Sequence, residues 1–303
     1  MTTMDASTPT PLAATTATLP ARPAASPGLV ALRQFLKSPS GVGGAVLLIL
    51  IILATLAGPT LYPVDPLDIA GAPFAPPDAD AWLGTDYLGR DVLAGLIHGG
   101  RATLTVGAVA ALITIAIGVL VGALGGFFGG AIDTALVKIT EFFQILPPLL
   151  FAMVLVTLFG AKLSIITVAI GVVSWTSVAR LTRAEFMRLR DLDFVKASRA
   201  AGAGSPHLML RVLLPNALPA VIVSATLAIG TAILFEGALS FLGLGDPNIM
   251  SWGLMLGQNR NYMLDAWWAV TFPGAAIFLA VLAISLVGDG INDAINPRLR
   301  RRT

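Results

Sequence analysis

The sequence predicts an all-α integral membrane protein with six transmembrane helices. Of its 303 residues, 56% are hydrophobic and only 12% are charged. Soluble domains carry about 25% charged residues, so much of the surface of this chain must face lipid. Crossing the apolar core of a bilayer takes about 20 helical residues, and six stretches are long and apolar enough. They lie at roughly 41–62, 102–126, 134–160, 163–179, 216–240 and 267–288.

The third and fourth stretches are the least regular of the six. Lys138 and Glu141 lie at positions i and i+3 of the third stretch and can pair with each other. Pro147 and Pro148 interrupt the same stretch, and only a short connection follows it. We still expect two spans here, because an odd number of crossings would put one basic segment on the wrong side.

The distribution of Lys and Arg predicts the orientation, since cytoplasmic loops of membrane proteins carry an excess of both. Three such residues precede the first span, whereas the loop 63–101 has six aspartates and two arginines. The segment 180–215 holds seven Lys and Arg residues, and the C-terminus is strongly basic. We therefore expect a multi-pass protein of the cell inner membrane, with both termini and 180–215 cytoplasmic and with 63–101 and 241–266 external.

Composition also divides the chain into regions. Residues 1–28 are rich in Thr, Ala and Pro, which predicts a disordered cytoplasmic tail, and they lack the basic start and apolar core of a signal peptide. Residues 29–101 contain the first span and the external loop. The transmembrane core is expected at 102–290, and 291–303 form a basic cytoplasmic tail.

Composition argues against several kinds of site. The chain has no cysteine and two histidines, and the predicted topology separates His98 from His207, so we expect no metal site. The net charge of +2 comes from cations beside the spans, which indicates a lipid environment and no nucleic-acid partner. A phosphate loop for ATP needs Gly-x-x-x-x-Gly-Lys-Ser/Thr, and no Gly-Lys pair occurs.

The most informative segment is 180–215, which is long for a connector between spans. It contains a run of small residues that allow a helix to approach another backbone closely. Gly202 and Gly204 would break that helix, and Pro206 suits the first turn of a second one. We expect a knuckle of two short helices that docks on another protein. The alternative is a basic amphipathic loop on the membrane surface.

This segment resembles the cytoplasmic signature of binding-protein-dependent ABC importer permeases, which is Glu-Ala-Ala, three residues, Gly, nine residues, Ile, one residue and Leu-Pro. The spacing matches throughout, with Lys196, Ser198 and Val212 as the departures, and Lys196 reverses the charge of the family's Glu. In that family the segment is a coupling helix that sits in a cleft of the ATPase subunit. The resemblance implies the same role for Lys196, Ala197, Ser198, Ala200, Ala201, Gly202, Leu214 and Pro215.

Three further motifs resemble the second permease of dipeptide, oligopeptide and nickel importers. They are 84–91, in which the family residues are Gly84, Thr85, Asp86, Gly89, Arg90 and Asp91; 239–245 with Ser251-Trp252-Gly253; and Gly288-Asp289-Gly290 with Asp293 and Asn296-Pro297-Arg298 near the C-terminus.

Each motif also has a structural interpretation. Asp91 can cap the helix that starts at Val92, and Asp86 and Arg90 can brace the preceding turn. The stretch 239–245 suits close helix packing as well as a pore gate. Near the C-terminus, acidic and basic residues could pair; they are Asp289, Asp293, Arg298 and Arg300.

Glu236 lies within the fifth predicted span and has no partner nearby in sequence. An unpaired carboxylate facing lipid is costly, so charges in spans face the bundle interior or water. Two hypotheses stay open for Glu236: a residue that lines the pore or the subunit interface, or a buried structural hydrogen bond.

The resemblance implies the type I permease fold of ABC importers and half of a translocation pore for peptides. The expected partners are a second homologous permease, two cytoplasmic ATPases that bind ATP and Mg, and an external substrate-binding protein. The chain itself would be no enzyme and would hold no cofactor. Nickel or another small solute is the alternative substrate.

Two rival functions belong to other classes. An ion-driven secondary transporter would have matching broken helices in two halves, and no internal repeat is found in the sequence. An intramembrane enzyme would need a catalytic set within the spans, and no histidine pair, aspartate pair or Gly-x-Ser-x-Gly is present there.

Overall fold

The computed structural model describes residues 27–295. Most of the predicted tail 1–28 and the end of the tail 291–303 lie outside the described residues. Within the described range the chain folds into eleven α-helices, and π-helical turns flank α9 at Leu208–Leu213 and Ser240–Leu244. The helices are α1 Pro27–Phe35, α2 Pro39–Leu61, α3 Val92–Phe128, α4 Gly130–Ile145, α5 Pro148–Phe159, α6 Leu163–Arg190, α7 Asp193–Ala200, α8 Ser205–His207, α9 Leu214–Leu239, α10 Trp252–Asn259 and α11 Trp268–Ile295.

Five helices of the described range are long and apolar enough to cross a membrane: α2, α3, α6, α11 and the continuous helical stretch Ser205–Leu244, which contains α9. They coincide with five of the six predicted spans, although α3 begins earlier than predicted and α6 continues further, to Arg190. The predicted span at 134–160, which Pro147 and Pro148 interrupt in the sequence, consists of two helices, because α4 and α5 meet at a bend of 81°. Counted as one broken span, this pair supplies the sixth crossing.

Two consecutive prolines cause the bend between α4 and α5. A residue before proline is forced out of the helical region, and Leu146 is extended, with ψ at 125°. Pro148 then lies in the first turn of α5, where the missing N–H of proline does no harm.

Helices α3 and α6 pack along a seam of glycines spaced four apart, at Gly118, Gly122 and Gly126. A Cβ atom on Gly118 would lie 2.6 Å from Val178 Cβ, and one on Gly126 would lie 2.7 Å from Arg183 O. Only glycine lets the two backbones come this close, as is common between transmembrane helices.

Helices α2 and α11 are joined in the same way. A Cβ atom on Gly44 would lie 2.9 Å from Ala283 O, and one on Gly41 would lie 2.9 Å from the Gly290 Cα. Close packing therefore accounts for the glycines of the C-terminal motif. Asp289 and Asp293 are exposed, and their predicted partners Arg298 and Arg300 lie outside the described residues.

Candidate functional site

The segment predicted to form a knuckle consists of two short helices with a glycine break. Helix α7 ends at Ala200, and α8 continues through a π-helical turn into α9. Gly202 has φ +88°, in the left-handed region where a side chain is strained. Pro206 lies in the first turn of α8. The helix–break–helix prediction is confirmed.

The base of this knuckle is anchored in the bundle. Val195, Leu208 and Leu213 are at most 1% exposed and belong to one apolar cluster with residues from the ends of α3 and α6; these are Ala123, Phe127, Phe186 and Leu189. Because interiors are close-packed, a displacement of α7 has to displace the ends of α3, α6 and α9.

The opposite side of the knuckle is open. Of the eight predicted coupling residues, six are exposed and two, Ser198 and Leu214, are partly buried. Two large apolar side chains lie beside the small ones, Phe194 at 43% and Leu210 at 64% exposed. Small exposed residues beside apolar ones form a surface that another backbone can approach closely.

Lys196, where the family signature has Glu, is compensated within its own helix. Its Nζ lies 3.7 Å from Asp193 Oδ1, one turn earlier. Both side chains are exposed, so this pair contributes little to stability. Its effect is to leave the exposed face of α7 with charges of both signs.

Two contacts that were not predicted tie α6 to its neighbours beside the knuckle. Arg183 of α6 makes a bidentate pair with Asp133 of α4, at 2.5 and 2.7 Å. Arg190 Nη1 donates to the Gly126 carbonyl of α3 at 2.9 Å. The glycine spacing along α3 was a signal for the α3–α6 seam, whereas no local pattern pointed to the partner of Arg183.

Glu236 is the main correction to the predicted site. It is 0% exposed, so within this chain it faces neither lipid nor a pore. Its Oε1 accepts hydrogen bonds from Ser240 Oγ at 2.8 Å and Ser251 Oγ at 2.7 Å, and Thr103 Oγ1 donates to Oε2 at 3.4 Å. The structure therefore favours the hypothesis of a buried structural hydrogen bond. The partners come from α3, the end of α9 and the N-cap of α10.

The ion pair predicted between Lys138 and Glu141 is also not formed. Both side chains are exposed on α4, and their charged atoms are not among the pairs within 4 Å in the described range. The i,i+3 spacing permits the pair, but Glu141 instead lines a cavity between α3, α4 and α6.

The motif at 84–91 folds the loop before α3 onto the bundle. Asp91 Oδ1 accepts from Ala94 N at 2.9 Å, which confirms the predicted helix cap. Asp86 Oδ1 accepts from the amides of Leu88 and Arg90 at 2.8 Å each, so it braces the turn through the backbone. Burial raises the pKa of Asp86 above its usual range.

Further contacts fix this loop on α3 and α11. Tyr62 donates to Asp91 Oδ2 at 2.7 Å, and this hydrogen bond, with burial, raises the pKa of Tyr62 to about 12. Trp268 Nε1 donates to Thr85 O at 3.0 Å. Gly84 and Gly89 have φ of +74° and +80°, so the turn itself requires glycine.

The motif at 239–245 and Ser251-Trp252-Gly253 is a packing motif in this chain. A Cβ atom on Gly253 would lie 2.7 Å from the Gly237 Cα, so α10 rests directly on the end of α9. Ser251 caps α10 through Leu254 N at 3.1 Å. The structure therefore supports close packing for this stretch, and the pore gate stays a hypothesis.

Comparison with known families agrees with this geometry. The model described as "Binding-protein-dependent transport system inner membrane component" matches residues 114–301. A second model, described as the N-terminal TM domain of oligopeptide transport permease C, matches residues 26–77.

Individual proteins are similar over most of the chain. A di/tripeptide transport system permease protein of Pseudomonas aeruginosa is 40% identical over 293 residues, which are 92% of this chain and 97% of the relative. A dipeptide transport system permease protein of Bacillus subtilis is 38% identical, over 92% of this chain and 88% of the relative. A solved structure of the MetNI methionine ABC transporter, in an inward-facing conformation, aligns with a TM-score of 0.55 at 21% identity. It covers 67% of this chain and 96% of that chain, and at this identity it supports the fold alone.

Proposed function

The chain belongs to the family of binding-protein-dependent transport system inner membrane components, and from this premise we propose that it forms one half of a translocation pore for short peptides. In this proposal residues 196–215 transmit the movement of a partner ATPase to the transmembrane helices. The chain itself supplies the path and the coupling surface, while the chemistry of ATP takes place elsewhere.

The single observation that carries the coupling role is the two-sided knuckle. One side is an exposed surface of small and apolar residues, and the other side is buried among the ends of three long helices. A protein that binds the exposed side can therefore move α3, α6 and α9 together, because the buried side cannot slide without opening the core.

The assembly we propose contains four further subunits. A second, similar permease completes the pore, two cytoplasmic ATPases bind ATP and Mg, and an external binding protein delivers the solute. Both termini and the knuckle are on the cytoplasmic side in this arrangement, and the loop 63–101 and the segment 241–266 are external.

Short peptides are the proposed solutes because the relatives from Pseudomonas aeruginosa and Bacillus subtilis are named as di/tripeptide and dipeptide permeases. Nickel or another small solute is the alternative, and the solute that co-purifies with the binding protein distinguishes them. An ion-driven transporter would keep its uptake after ATP depletion and lose it with the ion gradient.

The test of the coupling role is a crosslink from the exposed side of α7. The chain has no native cysteine, so Ala197→Cys is a unique thiol. We expect it to crosslink to a cysteine placed in the ATPase cleft, with a yield that changes on addition of ATP. Ala79→Cys, an exposed alanine of the loop 63–101, is the control and should give no crosslink.

The same crosslink tests the glycine break. Gly202→Ala should lower the yield from position 197 and reduce uptake, because a side chain at φ +88° costs about 1 kcal/mol or more. Among residues 27–295, no atom beyond the two chain neighbours lies within 4 Å of a Cβ atom on Gly202, so we attribute the expected effect to backbone strain. Gly204→Ala is the matched control, since Gly204 has φ −71°. Equal yields and normal uptake in both variants would contradict the coupling role.

A further inference from the structure

Helix α1, which precedes the first span, has an apolar face that no described residue covers. Leu32 and Leu36 are 54% and 62% exposed. The Leu36 amide donates to Leu32 O at 3.0 Å, so the helical arrangement continues one residue past the end of α1. Side chains four residues apart in a helix lie on the same face, and the two leucines therefore form one apolar surface.

Two cations lie along the edge of this surface. Arg33 and Lys37 each follow one of the leucines, and both side chains are exposed. Helix α11, against which α1 packs, carries the acids Asp289 and Asp293. Neither acid, nor any other in the described part of the chain, lies within 4 Å of the two cations. The cations are therefore free to bind an anionic group outside residues 27–295.

The contacts of Phe35 fix the level of α1 along the bundle. A Cβ atom on Gly41 would lie 3.1 Å from Phe35 Cε2, and one on Gly290 would lie 2.9 Å from the same atom. The ring thus packs where α2 meets α11. Gly41 is the third residue of α2, so α1 is level with the first turn of that helix.

This level coincides with the surface of the membrane. Helix α2 has 23 residues, which extend over about 34 Å at 1.5 Å per residue. The apolar core of a bilayer is about 30 Å thick, so α2 crosses it with little length to spare. Its first turn then lies at the boundary between acyl chains and headgroups, on the cytoplasmic side in the predicted orientation.

We propose that α1 is an interfacial anchor helix, with Leu32 and Leu36 among the acyl chains at the membrane surface and with Arg33 and Lys37 on the phosphate groups of anionic phospholipids. Helices with an apolar face and a basic polar face lie in this plane, with their apolar side chains about 5–10 Å into the boundary. The cytoplasmic leaflet carries the anionic lipids, so its charge complements the two cations. The inference does not depend on the proposed transport function.

The alternative cover for the leucines is protein. A partner subunit that packs against α1 would bury the same face without lipid, and a face in contact with neither would remain in water. The test therefore measures which of lipid, protein and water surrounds Leu32 and Leu36.

The chain has no native cysteine, so Leu32→Cys and Leu36→Cys each provide a unique thiol for the fluorophore bimane. The complex, with cysteine-free partner subunits, is reconstituted in liposomes of equal parts phosphatidylglycerol and phosphatidylcholine. We expect strong quenching at both positions by a nitroxide near the headgroup end of the acyl chains. A nitroxide at the middle of the chains should quench less, and aqueous iodide on both sides of the membrane should quench weakly.

Two control positions calibrate the depth. Leu50→Cys, in the middle of α2 and 58% exposed, should be quenched best by the mid-chain nitroxide. Ala79→Cys, in the exposed loop 63–101, should be quenched best by iodide. Iodide quenching at positions 32 and 36 equal to that at 79 would place the face in water and overturn the proposal. Protection from all three quenchers would show a protein cover and would overturn it as well.

The role of the two cations is tested by the choice of lipid. At position 36, nitroxide-labelled phosphatidylglycerol should quench at a lower mole fraction than nitroxide-labelled phosphatidylcholine, by about fivefold for each cation near the surface. Arg33→Gln combined with Lys37→Gln should remove this preference. Arg33→Lys combined with Lys37→Arg keeps both charges and should keep the preference.

The lipid preference can also contradict the assignment. If it is absent with the native residues at 33 and 37, or if it survives in the double Gln variant, Arg33 and Lys37 do not bind lipid phosphate.

Discussion

At the scale of single residues, Glu236 illustrates how this chain accommodates a carboxyl group that is buried within a membrane span. Three hydroxyl groups hydrogen-bond its carboxylate, and they come from three different parts of the chain. The carboxylate thereby links α3, α9 and α10 at one end of the bundle. We predict that its role in this chain is to hold α10 in place.

This role predicts the effect of substitution at Glu236. Glu236→Leu leaves buried hydroxyls without an acceptor, at about 1–3 kcal/mol for an unsatisfied group, and should lower the unfolding temperature of the purified protein. Glu236→Gln keeps a carbonyl oxygen for Ser240 and Ser251 and should lower it less. The unfolding temperatures of the three proteins are compared by heating each in detergent and measuring the loss of the monodisperse species.

The opposite result would restore the other hypothesis. A Glu236→Leu protein that unfolds at the wild-type temperature but no longer transports would be a protein in which Glu236 acts in the pore. An ordered decrease in stability, with transport falling only as far as the folded fraction does, supports the structural hydrogen bond.

At the scale of elements, the glycine seam between α3 and α6 determines how closely these helices approach. The same two helices hold the knuckle from its buried side, through Phe127 and Phe186 among others. In the proposed coupling role, the seam is therefore part of the route by which a movement of α7 reaches the transmembrane region.

The close approach of α3 and α6 is tested by comparing a substitution at a glycine inside the seam with one at a glycine outside it. Gly118→Leu places a side chain where a Cβ atom already lies 2.6 Å from Val178 Cβ, and overpacking of this kind costs about 1–3 kcal/mol or more. Gly43→Leu, on α2, meets no atom of the described residues within 4 Å at its Cβ position and replaces Gly by a better helix former. We expect the first variant alone to unfold at a lower temperature in detergent.

A different ranking would contradict the close packing. If Gly118→Leu were as stable as Gly43→Leu, the backbones of α3 and α6 would have to lie further apart than described. Uptake by each variant then shows whether the spacing also matters for coupling.

At the scale of the whole molecule, the orientation in the membrane follows from charge. The seven Lys and Arg residues of 180–215 and the aspartates of 63–101 predict that these segments lie on opposite sides. The predicted orientation puts the knuckle on the side of the proposed ATPases and the loop before α3 on the side of the proposed binding protein.

The orientation is tested with single cysteines at two exposed alanines, Ala200→Cys and Ala79→Cys. An impermeant thiol reagent should label position 79 in intact spheroplasts and position 200 only in inverted vesicles. Since the chain has no other cysteine, the labelling pattern is unambiguous, and the reverse pattern would invert the topology.

The sequence by itself determined the features that depend on nearby residues. The spans follow from the length of the apolar runs. The break at Gly202 follows from the backbone freedom of glycine. The helix cap at Asp91 is also local, because its side chain accepts from an amide only three residues later. The prolines of the third span were noted, but a proline permits either a kink or a break, so the 81° bend needed the structure.

Only the tertiary structure decided which distant side chains meet. Thr103 and Glu236 are 133 residues apart, and Asp133 and Arg183 are 50 apart. Their contacts depend on how each helix is rotated about its axis. In a membrane this rotation leaves only a weak pattern in one sequence, because faces toward lipid and faces toward other helices are both apolar. For that reason the helix, break and helix of the knuckle were predictable from a local pattern, whereas the partners of Glu236 and the cavity beside Glu141 were not.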